Sequence, residues 1–194
     1  MHLIAVVTKN DFARVFDELT PLRIDLGSGR VIAFETPKTV DLIRGSGLRV
    51  RGDAQVTWEA LGISIPMTVR AWQILLVPSM VARGDDHVLA FDPKLEELDL
   101  KSIPNMVGSR IADAVNDALA TERGKLAWNI SRTLSWQRML GPRFAPTRNF
   151  HLKPSRGEVE VTAEEFRLTI HFDAGLSLVD SATTHVSVAP KNMI

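Results

Sequence analysis

Apolar and polar residues along this chain alternate more often with a period of two than with a period near 3.6, and the changes of period divide it into elements. His2 to Val7 is a short, apolar, β-prone run that predicts a strand. Thr8 and Asp11 have the spacing of a helix capping box. Phe12, Val15, Phe16 and Leu19 then recur at helical spacing over Asn10 to Leu19, and Pro21 stops the helix. From Leu22 to Leu100 the strand period takes over. Leu22, Ile24 and Leu26 alternate with Arg23 and Asp25, Gly27-Ser28-Gly29 turns the chain, and Arg30 to Phe34 returns as a hairpin arm. Val40 to Ile43 and Leu48 to Trp58 are the next strands, with Gly52 marking a bulge or bend. Ile63 to Val81 is long and apolar, Gly84-Asp85-Asp86 is a turn, and His87 to Phe91 runs back. No helical pattern separates these strands, so they predict an antiparallel meander rather than βαβ units.

Ile103 to Gly124 is the strongest helix pattern in the chain. Ser102 is placed to cap it, and Pro104 lies in the first turn, where proline costs least. Ile103, Val107, Ile111, Ala114, Val115, Ala118 and Leu119 share one broad arc, opposite Ser109, Asp113, Asn116 and Asp117. Gly124 suits the residue after the helix end. Lys125 to Leu140 fits both periods; a second helix kinked at Gly124 is the favoured reading, with strands over Leu126 to Ile130 and Leu134 to Trp136 as the alternative. Gly141 to Thr147 reads as a connector, and Phe150 to Lys153, Glu158 to Thr162 and Phe166 to Phe172 as final strands. Residues 1 to 180 are expected to form one domain, with 181 to 194 a tail or an edge strand.

The chain has 194 residues, 45% of them hydrophobic, enough to bury a sizeable core. Its 23 basic and 23 acidic side chains balance, which argues against attraction of the whole protein to nucleic acid. Without cysteine there are no disulfides and no thiolate chemistry. There is no basic leader followed by a long apolar run and no stretch of about 20 apolar residues. The expected location is therefore the cytoplasm, or a processed periplasmic or secreted form. Catalytic motifs are missing: no G-x-S-x-G, no phosphate-binding glycine loop, and five scattered histidines without ligand spacing. Asp85-Asp86-His87 is better read as a hairpin tip than as a metal site. No enzymatic activity, metal or cofactor is expected. One local charge pattern stands out. From Arg123 through Gly157 there is no acid, while basic residues interleave with Trp128, Trp136, Phe144 and Phe150. That mixture suits an anionic membrane surface, with Lys125, Arg132, Trp136, Arg138 and Arg143 as candidate contacts. It suits single-stranded nucleic acid less well. The plainer reading places the aromatics in the core and pairs the cations with acids such as Asp92, Glu96, Glu97 and Asp99.

Two stretches carry a family resemblance. One is LAFDPKLEELDLKSIPNMVGSRIADAVNDAL, Leu89 to Leu119; the other is GKLAWNISRTL, Gly124 to Leu134, followed by GEVEVTAEEFRLTIHF, Gly157 to Phe172. With the element order, they resemble bacterial members of the tubular lipid-binding (TULIP) superfamily, the relatives of bactericidal permeability-increasing protein. The resemblance implies an α+β fold, a long curved antiparallel sheet wrapped around one long amphipathic helix, with a short N-terminal helix. It also implies a groove between sheet and helix that holds a lipid or another apolar ligand. Phe12, Phe16, Trp72, Ile74, Leu76, Val107, Ile111 and Val115 are the candidates to line it. The alternative is a structural or assembly protein whose interior is packed and whose surface docks a protein partner. The partners expected are thus a lipid or apolar small molecule, peripheral membrane contact, and a second copy in a homodimer.

Overall fold

A computed structural model describes residues 1–27, 30–60, 63–100, 105–141 and 147–178; the backbone alone is described for 26–27, 58–60, 63–68, 100, 105–107, 122 and 125. The elements run β1 (His2–Thr8), α1 (Lys9–Leu19), β2 (Leu22–Gly27), β3 (Arg30–Phe34), β4 (Thr39–Ile43), β5 (Gly47–Ala60), β6 (Ile63–Arg83) and β7 (Asp86–Leu100). Then come α2 (Asn105–Glu122), a 3₁₀ turn (Arg123–Leu126), β8 (Ala127–Asn129), α3 (Ile130–Leu134), β9 (Trp136–Leu140), β10 (Arg148–Val161) and β11 (Glu165–Leu178). The strands form two curled, antiparallel sheets. One has the order β1-β11-β10-β9, and the other β2-β3-β5-β6-β7-β8 with β4 paired to β5.

The α+β expectation of one sheet wrapped around one long helix is overturned. Strands make up 66% of the described residues and helices 22%. Helix α2 lies on β7 and β2 of the larger sheet. Ile111, Val115 and Leu119 are buried there, whereas Ser109, Arg110, Asp113, Asn116 and Asp117 are exposed. A helix inside a rolled sheet would be covered all round; this one is covered on a single stripe, as its amphipathic pattern demands. Ala114 and Ala118 are partly buried beside that stripe and let the helix backbone approach the strands.

The two sheets share one core. Phe166 of β11 meets Phe12 of α1 edge-on at 5.7 Å and stacks on Phe91 of β7 at 6.0 Å, so three aromatics join the helix to both sheets. Such pairs add about 0.5–1.5 kcal/mol beyond the area they bury. A backbone bond from Gly45 N–H to the Val161 carbonyl, 2.9 Å, ties the β4–β5 turn to β10. Helix α1 begins with the capping box that its sequence predicts. Thr8 Oγ1 accepts from Asp11 N–H, and Asp11 accepts from Thr8 N–H. The Thr8 hydroxyl, which donates to the Asp11 carboxylate at 2.7 Å, and then the Thr8 N–H hold that carboxyl below its ordinary pKa.

The second helix expected over Lys125 to Leu140 does not form. Trp128 instead pairs with Leu89, making β8 the last strand of the larger sheet, and Asn129 caps the five-residue α3 by accepting from Arg132 N–H. Trp136 to Leu140 then pairs with β10. The chain spends this segment on closing two sheet edges, an outcome the local i, i+4 pattern does not encode. Other strands are longer than their apolar runs suggest. Pro154 and Gly157 do not split β10: the register shifts as a bulge between Pro154 and Arg156, and Gly157 pairs in register with Ile170. The predicted bend at Gly52 is likewise a register shift in β5.

Candidate functional site

Beneath α1, the inner face of the larger sheet leaves an apolar cleft of about 100 Å³ open to the surface. Phe16 of α1 closes one side. Trp72, Ile74 and Leu76, at alternate positions of β6, form the floor, and Leu119 of α2 and Leu126 of the 3₁₀ turn close the far side. Alternation in β6 points these three side chains to one face. Trp72 is fixed twice: its Nε1–H donates to the Asp53 carbonyl at 2.7 Å, and its ring meets Phe34 edge-on at 4.9 Å. Gly52 lets the indole lie flat on the neighbouring strand, since a Cβ there would stand 3.1 Å from the ring. Thr20 is the one polar residue of the wall, and its hydroxyl is turned to the Phe16 carbonyl and Thr36. The cleft therefore exposes no polar surface to an occupant.

Four of the eight residues singled out for an apolar ligand, Phe16, Trp72, Ile74 and Leu76, meet in this cleft. Ile111 and Val115 are wholly buried in the core, and Phe12 packs against that core. The Val107 side chain lies outside the described residues. Leu22, Leu119 and Leu126 were not singled out; they come from three separate elements, and only the fold brings them together. Of the basic and aromatic candidates, Trp136 and Arg138 lie on β9 and Arg132 is exposed on α3. Arg143 and the Lys125 side chain lie outside the described residues. Arg123 pairs with Asp92, one of the acids expected to take a cation.

The outer face of the larger sheet is a ladder of charges. Arg49 donates to both carboxylate oxygens of Glu96, at 2.8 and 3.0 Å, while Gln73 bridges Glu96 and Arg51. The Arg49 bond is the main reason the Glu96 carboxyl titrates below its ordinary value, with burial opposing and Gln73 assisting. The same bond raises the Arg49 guanidinium. Beside the ladder is a cleft of about 370 Å³. Four of its charges pair internally, Lys38 with Asp53 at 2.7 Å and Arg51 with Glu97 at 3.8 Å, while Arg70 also lines it without an ion pair among the described residues.

Among the described residues, Ser131 and His87 form the one contact that resembles a nucleophile and its base. The Ser131 hydroxyl is 2% exposed and accepts the His87 backbone N–H at 2.8 Å, with the ring nitrogen farther off at 3.4 Å. That geometry fastens α3 to the start of β7 and leaves no approach for a substrate. No cluster of metal-ligating side chains occurs among the described residues. Nor, among them, is any helix long and apolar enough to cross a membrane. The chain matches no protein-family model, and no curated protein matches it in sequence.

Proposed function

We propose that this chain is a non-enzymatic binding module whose cleft under α1 takes an aliphatic group, such as the end of an acyl chain. The observation that carries this reading is a wall with no polar surface, assembled from α1, the larger sheet and the end of α2, and open to solvent. An empty apolar cleft favours apolar occupants because each buried methylene gains about 0.8 kcal/mol. Size limits what can enter. At 100 Å³ the cleft lies below the usual range for ligand pockets and has room for about three groups of water or methylene size. Those contribute about 2–3 kcal/mol, against about 8 kcal/mol for a micromolar Kd. The rest of a chain would lie across the exposed Leu22 and Leu126 at the mouth. The small volume also favours a second reading, in which an apolar side chain of a protein partner fills the cleft.

Calorimetric titration with decanoate separates the two. The first reading expects weak, saturable binding of one decanoate per chain. Leu22→Trp, at a half-exposed site on the rim, should weaken it by about tenfold or more while the circular dichroism spectrum is unchanged. No saturable uptake, or equal uptake by the folded variant, defeats the acyl-chain reading and leaves the partner reading.

A further inference from the structure

The smaller sheet has a stretch that the core does not cover. Direct cross-strand partners share a face, so the pairs Trp136–Leu152, Arg138–Phe150 and Arg148–Leu140 put their side chains on one side of β9 and β10. Continuing across to β11, Leu152 faces Ala174, Phe150 faces Leu176 and Arg148 faces Leu178. This is the face that carries Phe166, Leu168 and Ile170 into the core farther along β11. The opposite face of the same stretch bears Met139 among the polar residues Gln137, Asn149, His151, Lys153, Asp173 and Ser177. The stretch is therefore amphipathic in the strand sense, with an apolar side built for burial. Yet Trp136 is 48%, Leu176 55% and Leu178 58% exposed.

Charge indicates what would cover it. Arg138 and Arg148 stand on the apolar face, and among the described residues neither has an ion pair and no Asp or Glu shares that face. The nearby cations on other surfaces are spent, Lys153 on Asp85 and Arg156 on Glu158. Contact with a second copy through this face would bring arginines together with no acid between them, because a two-fold interface presents the same patch from both sides. Trp136 and Phe150 offer nucleic-acid bases a stacking surface, but Leu140, Leu152, Leu176 and Leu178 around them offer none. A bilayer with anionic headgroups satisfies all the groups at once: leucine and phenylalanine enter the acyl boundary, tryptophan sits at the headgroup level, and arginine meets lipid phosphate.

We propose that this uncovered face of β9, β10 and β11 docks onto anionic phospholipid membranes. The site is separate from the cleft under α1 and does not depend on it. Its test is sedimentation of the full chain with phosphatidylcholine vesicles, with and without phosphatidylglycerol as roughly a third of the lipid. Binding is expected to the anionic vesicles only, with a blue shift of tryptophan fluorescence, and to weaken as salt is added. Arg138→Gln with Arg148→Gln should lower the partition coefficient roughly 25-fold, about fivefold for each cation. Leu176→Gln with Leu178→Gln, at sites already exposed, should lower it by a similar factor without unfolding the protein. Absence of binding to anionic vesicles overturns the proposal. So does binding that survives both double variants, or equal binding to neutral vesicles, and so does a stable dimer that buries Trp136 instead.

Discussion

Strand β11 allows two regions of the molecule to be compared on a single face. At one end Phe166, Leu168 and Ile170 are 3%, 3% and 1% exposed, packed against α1, β7 and the rest of the core. Farther along, Leu176 and Leu178 continue the same alternation on the same side and are more than half exposed. The residue types barely differ; what differs is whether another layer lies opposite. Alternation in a strand states which face is apolar, whereas burial is decided by elements far away in sequence. The cleft under α1 is intermediate, with α1 and the end of α2 covering β6 incompletely.

Truncation sharpens the comparison most. Ile170→Ala should cost about 2–5 kcal/mol of unfolding free energy, because it leaves a cavity in the closed region. Leu176→Ala, on the same strand and face, should change stability by no more than about 0.5 kcal/mol. Urea denaturation of both checks this, and equal losses would mean that the far end is covered in solution. Gly47→Ala probes a tight joint of the larger sheet, since a Cβ there would run into the Leu76 carbonyl; a loss of about 1–3 kcal/mol is expected in the same assay. Thr8→Ala removes the cap of α1, the roof of the cleft, and should cost about 1 kcal/mol.

The smallest effect is electrostatic. The folded-state pKa of Glu96 lies below its unfolded value, so its contribution is fully present above the unfolded pKa and is lost as pH falls through the folded one. In Glu96→Gln the difference between the urea midpoints at about pH 7 and about pH 3 should therefore shrink. The change should be worth about 1 kcal/mol or less, because solvent reaches both partners.

Much of the strand order was legible because turn glycines and alternation agree locally. The β2–β3 hairpin, the bulge at Gly52 and the Gly84-Asp85 turn all follow from short-range rules. The capping box of Thr8 and Asp11 is equally local. The layer arrangement was not legible. An amphipathic stripe on α2 is compatible with lying on a sheet or inside one, and only the exposure of its polar side decides. Lys125 to Leu140 satisfied two periods at once, and long-range pairing of Trp128 with Leu89 and of Trp136 with Leu152 settled it. The far half of β7 was missed because Pro93 and Glu96-Glu97 interrupt its apolar run; there the register slips opposite Gln73 and Ile74. Four of the thirteen residues that line the cleft, on α1 and β6, were among the candidates, and the remainder depends on which distant side chains the fold gathers.

The most direct measurement is an NMR search for intermolecular nuclear Overhauser effects between the terminal methyl of decanoate and the protein. Contacts from that methyl to the Trp72 indole and the Leu76 methyls, lost in Leu22→Trp, are the predicted result. Contacts confined to surface residues such as Trp136 and Leu176, or none at all, would contradict an acyl-chain site under α1.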